Sequence, residues 1–265
     1  MNFPNFISTA LFHRTKFSLP ILVTSLFLGA CRAPDDMSNP QNIVDRALEA
    51  HGSDILNNAR LTFDFRGRQF SITRQNGMFS YVRSYTDSTG AVIKEILSND
   101  GLVRDVDGVR TEMDSEFYRK METSVNSVSY FVLLPLPLND PAVVKTLLGE
   151  VEILGEPYYK IDITFQQEGG GRDYQDRFLY WFHRNRFTMD YMAYYFYTDE
   201  EGSRFRQATN IRDIGGVRIQ DYHNFKFDSL TIETIDQYDE LFSQGKLELV
   251  SDVNLDNVRL ERLDP

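Results

Sequence analysis

A single cysteine, Cys31, stands among the 265 residues, so no disulfide can form within the chain. Histidine is nearly as scarce: beyond the first thirty residues only His51, His183 and His223 occur. There is no H-E-x-x-H and no C-x-x-C, and Asp221-x-His223 is the only pair that could ligate, so no metal and no cofactor are expected. No serine sits in a G-x-S-x-G elbow, and Gly169-Gly170-Gly171 lacks the Gly-Lys-Ser/Thr of a phosphate loop. That glycine run reads as a hairpin loop. Basic residues are outnumbered, 28 to 39, for a formal charge of −11. Nucleic acid is held by neutralising phosphates with Lys and Arg, so it is excluded as a partner. The apolar run at 19–31, "LPILVTSLFLGAC", falls short of the roughly 20 residues that span a bilayer.

What that run offers instead is a leader. Residues 1–18 carry Arg14 and Lys16 and no acidic side chain, an apolar core follows, and small residues close it, which is the layout of a secretory signal. Leu28-Gly29-Ala30-Cys31 resembles a bacterial lipobox, whose cysteine receives a diacylglyceryl group before cleavage. Residues 1–30 are thus expected to be removed and Cys31 to anchor the protein in a membrane, a use that consumes the lone thiol. The other reading is a cysteine discarded with an ordinary signal. Two or three acyl chains hold stably where one would not, because each buried methylene contributes roughly 0.8 kcal/mol. Arg32 stands where Gram-negative lipoproteins kept at the inner membrane commonly have Asp, which points to the outer membrane. Asp35 and Asp36 resemble the surface-export signal of Bacteroidota lipoproteins, but two aspartates in a tether are more often solvated linker, which leaves periplasmic and surface-exposed placements open. Loss of Arg14 and Lys16 with the leader makes the mature chain more acidic still.

Residues 31–39 read as a flexible tether and 40–265 as one domain. Ile43, Val44, Ala47 and Leu48 recur at helical spacing between an Asn39 cap and a His51-Gly52 stop. Short runs rich in β-branched and aromatic residues follow, broken by Asn-Gly and Asn-Asp-Gly signals, and predict an antiparallel meander. Helical spacing returns between Asp114 and Leu134, and a further helix is expected over 141–148 behind Pro141. From Glu156 onward the strands lengthen. The expected fold class is α+β: a large curved antiparallel sheet, a half-barrel, with a few helices packed on its concave face.

The stretches "ALEAHG", "TFDFRGR", "NSVSYFVLLPLPLNDPAVVKTLLG", "YYKIDITFQQEGGGRDYQDRFLYWF", "TMDYMAYYF", "RFRQATN" and "DYHNF" resemble a Bacteroidota lipoprotein family known only as a domain of unknown function. The similarity covers roughly residues 41–227. That family is in turn distantly similar in architecture to LolA-like lipoprotein carriers, half-barrels with a helical lid. The resemblance implies that fold and a lipoprotein setting, and no chemistry. Residues 228–265 lie outside it, as a C-terminal extension of open role.

Two strands, 203–211 and 217–227, carry the candidate site. A two-residue turn at Gly215-Gly216 would place Arg204, Arg206, Ala208 and Asn210 on one face with Asp221, His223, Phe225 and Phe227. Charges within an apolar face are costly unless paired, so an Arg206–Asp221 ion pair tying strands together is one reading. The polar anchor of a mostly apolar ligand cavity is the other. Strand 188–198 is aromatic on both faces, and with Trp181 its Tyr191 is a candidate cavity liner, or simply core. The function expected is a non-enzymatic, membrane-anchored module holding a lipid, acyl chain, lipoprotein or other amphiphile. An envelope hydrolase using carboxylates or the Asp221/His223 region is the alternative, and a structural partner in an envelope complex a third.

Overall fold

The computed structural model describes residues 35–169, 174–197 and 201–264. The leader and Cys31 lie outside them. From Asp35 onward the chain forms one compact unit. It opens with α1 (Pro40–His51), capped by Asn39, whose side chain accepts from the Gln41 N–H at 3.0 Å. Part of the expected tether is already docked, since Met37 packs against the core that α1 enters.

Six strands follow: β1 (Ala59–Phe65), β2 (Arg68–Gln75), β3 (Met78–Thr86), β4 (Val92–Ser98), β5 (Gly101–Val106) and β6 (Val109–Thr111). The helix α2 (Ser115–Leu133) comes next, capped by Asp114, which accepts from the Glu116 and Phe117 amides at 3.0 and 2.8 Å. Six further strands form a second meander: β7 (Val143–Ile153), β8 (Glu156–Phe165), β9 (Arg177–His183), β10 (Met189–Phe196), β11 (Gly202–Ile214) and β12 (Val217–Lys226). A short α3 (Tyr238–Ser243), β13 (Glu248–Val253) and β14 (Asp256–Arg262) end the described chain.

The architecture is the open antiparallel α+β half-barrel that the sequence predicts, with its strands hydrogen-bonded as two sheets. Sheet A runs β14-β1-β2-β3-β4-β5-β6 and sheet B β13-β12-β11-β10-β9-β8-β7, neither closing on itself. β13 and β14 sit at facing ends of these orders, joined by Asn254-Leu255, so the C-terminal segment stitches the sheets together. Residues 228–264 are therefore part of the fold.

The helix expected over 141–148 is a correction: this stretch is β7, paired with β8 from Val143↔Phe165 to Ile153↔Glu156. Val143, Val144, Thr146, Val151 and Ile153 are β-branched, and their pairing with a long neighbouring strand outweighs an apolar spacing that also fits a helix.

Three cores result. Ile43, Val44, Ala47 and Leu48 of α1 pack on Ile161, Tyr180, Phe182 and Met192 of sheet B. Val125 and Leu133 of α2 pack on Leu61, Phe70, Ile72 and Leu97 of sheet A. The opposite face of sheet B carries Trp181, Tyr191, Tyr195 and Phe205, and it is covered by Leu230, Ile235 and Tyr238 from the C-terminal segment. That segment is held by a buried lysine: Lys160 Nζ donates to both Asp239 carboxylate oxygens at 3.0 Å and to the Asp236 carbonyl, while Trp181 Nε1 donates to Asp239 at 3.2 Å.

Beneath α2 lies a strip of charge. Arg83, Glu95 and Arg104 stand side by side on β3, β4 and β5. Glu95 is fully buried and bridges both guanidiniums, 2.5 Å from Arg83. Arg83 also donates to Ser124 Oγ of α2 at 2.6 Å, and Arg104 lies 5.1 Å over the Phe117 ring. The N-terminal half of α2 thus rests on ion pairs. Its C-terminal half reaches the aromatics of sheet B through Tyr130 and Phe131.

α1 ends on His51, which is buried, and its Nε2 accepts from the Met189 amide at 3.0 Å. The ring is therefore neutral with its proton on Nδ1, and that atom finds no partner among the described residues. Burial, aided by the nearby Arg218 charge, pushes the imidazole down to about 3 from 6.5. The folded value lies below the unfolded one, so its contribution is complete above pH 6.5 and is lost as pH falls towards 3. The loss is on the order of 4 kcal/mol. Urea titrations at pH 7 and pH 4 should show a wild-type loss that His51→Gln largely lacks; equal losses would contradict the assignment. Gly52 closes the helix in the left-handed region, at φ 65°. A Cβ there would stand 1.9 Å from the Gly216 carbonyl oxygen, so the α1 end and the β11–β12 turn require a glycine at their contact.

Candidate functional site

The register of β11 and β12 decides which candidate side chains meet. From Val217↔Ile214 to Ile219↔Arg212 the strands follow the two-residue turn, but beyond a bulge Asp221 pairs with Thr209, His223 with Gln207 and Asn224 with Arg206. Asn210 takes φ 44° at this bulge, a left-handed conformation that Asn tolerates. One extra residue inverts the faces of everything beyond it. The shared face expected for Arg204, Arg206, Asp221 and His223 is therefore corrected: Arg206 points away from Asp221 and His223.

Asp221 instead ties the bulge down. It accepts from Arg212 at 2.6 and 3.2 Å, from Asn210 at 2.6 Å and from the Leu255 amide at 3.0 Å. His223 is half-buried and its Nδ1 lies 2.7 Å from Asp252 on β13. Trp181 and Tyr191 face the C-terminal segment, on the side of sheet B away from α1. Arg204 lies 5.4 Å over the Phe196 ring and donates to the Ser203 carbonyl at 2.7 Å. Among the described residues no group of three His, Cys, Asp or Glu side chains is placed to hold a metal ion.

Arg206 alone of these reaches the α2 core. Its guanidinium lies 4.2 Å from the Phe131 ring of α2, 5.2 Å from Tyr194 and 5.9 Å from Tyr222. It donates to Tyr194 Oη at 2.9 Å, and its Nε finds no partner among the described residues. No carboxylate of the described residues forms an ion pair with it. A permanent cation here is compensated by ring faces, each contributing about 0.5–2 kcal/mol. Tyrosine hydroxyls surround it. Tyr130 and Tyr180 share a hydrogen bond of 3.2 Å, and Gln220 donates to Tyr222 Oη at 2.8 Å. Burial pushes Tyr130 up to about 12, Tyr180 well above its ordinary value and Tyr222 upward, although the Arg206 charge pulls the last two the other way. All three keep their protons, so the cation stands among hydroxyl donors. The adjoining cleft, between Phe131, Leu134, Tyr222 and Leu255, has a volume of about 30 Å³, room for roughly one water.

Residues 17–255 match the model of a family of unknown function, DUF6503. The chain belongs to that family. No match was found among curated proteins. Among solved structures the chain is similar to a LolA superfamily protein from Nitrosomonas europaea, 12% identical over 85% of this chain and 93% of that one, with a TM-score of 0.46. It is similar to a protein from Vibrio parahaemolyticus assigned as an outer membrane lipoprotein-sorting domain, 9% identical over 84% and 94%, with a TM-score of 0.44. It is also similar to the lipoprotein LppX of Mycobacterium tuberculosis, 10% identical over 60% of this chain and 90% of that one, with a TM-score of 0.26.

Proposed function

We propose that this DUF6503 protein is a lipid-anchored binding module of the bacterial envelope, holding the acyl part of an amphiphile between sheet B and its helices, with Arg206 as head-group anchor. The observation that carries the reading is the Arg206 guanidinium, set among three aromatic rings and several tyrosine hydroxyls with no carboxylate partner among the described residues. Such a group supplies directed positive charge to an acidic or carbonyl head group, and the adjoining apolar side chains of α1, α2 and sheet B suit a hydrocarbon tail. The cleft is nearly closed, so loading displaces α2, of whose 19 residues only Val125, Ser129 and Leu133 are buried. Native mass spectrometry of the full chain, extracted gently from membranes, should show a bound amphiphile.

The anchor is Cys31, and the outer membrane is its place, on the periplasmic or the outer surface. Labelled palmitate should enter the wild type and not Cys31→Ser, which should leave the membrane fraction. An unlabelled wild type, or a variant that still sediments with membranes, would contradict the anchor.

A further inference from the structure

A second cavity lies on another part of sheet B, where the β11 bulge leaves β10 and β12 to be bridged directly. Gln220 of β12 donates to the Met189 carbonyl of β10 at 3.0 Å, and Arg218 of β12 donates to Asp190 Oδ1 at 3.1 Å. The space left by this detour is about 330 Å³, the lower end of the range for small-molecule sites.

Its polar lining is built around Asp190. That carboxylate accepts from Arg218, from Arg186 at 3.3 Å and from Tyr158 Oη at 3.2 Å, so its capacity is largely taken by groups it holds in place. Arg218 is fixed a second time, its Nε donating to Gln220 Oε1 at 3.0 Å. Arg186 also lies 3.6 Å from Glu156, which stands outside the lining and pairs with His183 at 2.8 Å. Two guanidiniums thus face the cavity against one carboxylate that is already engaged. Thr188 Oγ1, in the same wall, is buried and has no partner among the described residues. The Tyr191 ring, Ala208 and the exposed Ile211 supply an apolar side. In a chain of net charge −11, a donor-rich, cationic recess with one ring wall selects for an oxyanion.

We infer that this recess is a second ligand site, for a carboxylate or phosphate carried on a body of about monosaccharide size, with Arg186 and Arg218 taking the anion and Thr188 a neighbouring oxygen. The same chemistry is offered by a free metabolite and by a lipid head group.

Calorimetry on the full chain in detergent, with D-glucuronate, glycerol 1-phosphate and a short-chain phosphatidylglycerol as probes and glucose as the neutral control, tests this. Saturable binding of a free anion with Kd below about 1 mM supports a soluble ligand, and binding of the lipid alone supports a head group. In either case Arg186→Gln, at a half-exposed position, should weaken binding about tenfold with an unchanged melting curve. Arg218→Lys, which keeps the charge and loses the fork, should weaken it similarly. Failure of all three probes to bind, binding equal to that of glucose, or binding untouched by both substitutions overturns the site. A lipid extract of the same wild-type preparation is read separately: its emptiness bears on the Arg206 anchor and leaves this site standing.

Discussion

Replacing Glu95 by alanine is expected to cost about 3–5 kcal/mol of folding stability, and at this chain length about 10 °C in melting temperature. Glu95 is fully buried and is the shared counter-ion of Arg83, itself only 2% exposed at its side chain, and of Arg104. Its removal leaves two guanidiniums, on β3 and β5, facing each other across β4 in a site closed over by α2. They repel each other, and Arg83 has no route to water. The ion pairs themselves contribute little over apolar packing, since desolvation of three charges offsets most of their attraction. A double replacement, Arg83→Met with Glu95→Leu, should therefore regain most of what Glu95→Ala loses. Urea unfolding of the three proteins checks this; a Glu95→Ala loss under about 1 kcal/mol would contradict a buried, shared counter-ion.

Asp239→Ala should be nearly as severe, about 3 kcal/mol, and more local. It strands Lys160 beneath the C-terminal segment and removes the acceptor of Trp181 Nε1. The segment should loosen first, because Lys160 is one of its polar fastenings to sheet B, beside Arg177, which donates to the Ile232 carbonyl at 2.6 Å, and the 2.7 Å hydrogen bond between Ser203 and Tyr238. Trp181 is the only tryptophan of the chain and is fully buried, so its emission reports the event directly. A red shift below the main unfolding transition, with early proteolysis near residue 230, is the expected outcome. An unshifted emission with wild-type stability would show that the apolar contacts of Leu230, Ile235 and Tyr238 suffice.

The elements legible in the sequence were those with local signals. α1 is bounded by the Asn39 cap and the Gly52 stop, and the meander of sheet A follows its turn residues, as at Asn76-Gly77 between β2 and β3. β7 was not legible. Its apolar spacing fits either period, and only pairing with β8 chooses the strand. The candidate site is half legible: Arg206 stands out in the sequence, but the turn at Gly215-Gly216 implies the wrong neighbours for it. The bulge at Asn210, five residues away, overrides that register. An Asn within a strand pattern is the signal available for it. Phe131, Tyr180 and Tyr194 come to Arg206 from three separate elements, and no local pattern announces that meeting. The cover of Trp181 and Tyr191 comes from residues 230–238, beyond the reach of any strand-by-strand reading.

The most direct test of the binding account is Arg206→Lys in the full chain, with a melting curve and a lipid extract taken from the same preparation. Lysine keeps the charge but offers no bidentate fork and no flat face for Phe131. A melting temperature close to wild type and a loss of about tenfold or more in co-purified amphiphile are expected. An unchanged extract, or a wild-type extract that contains no amphiphile, would contradict the binding account.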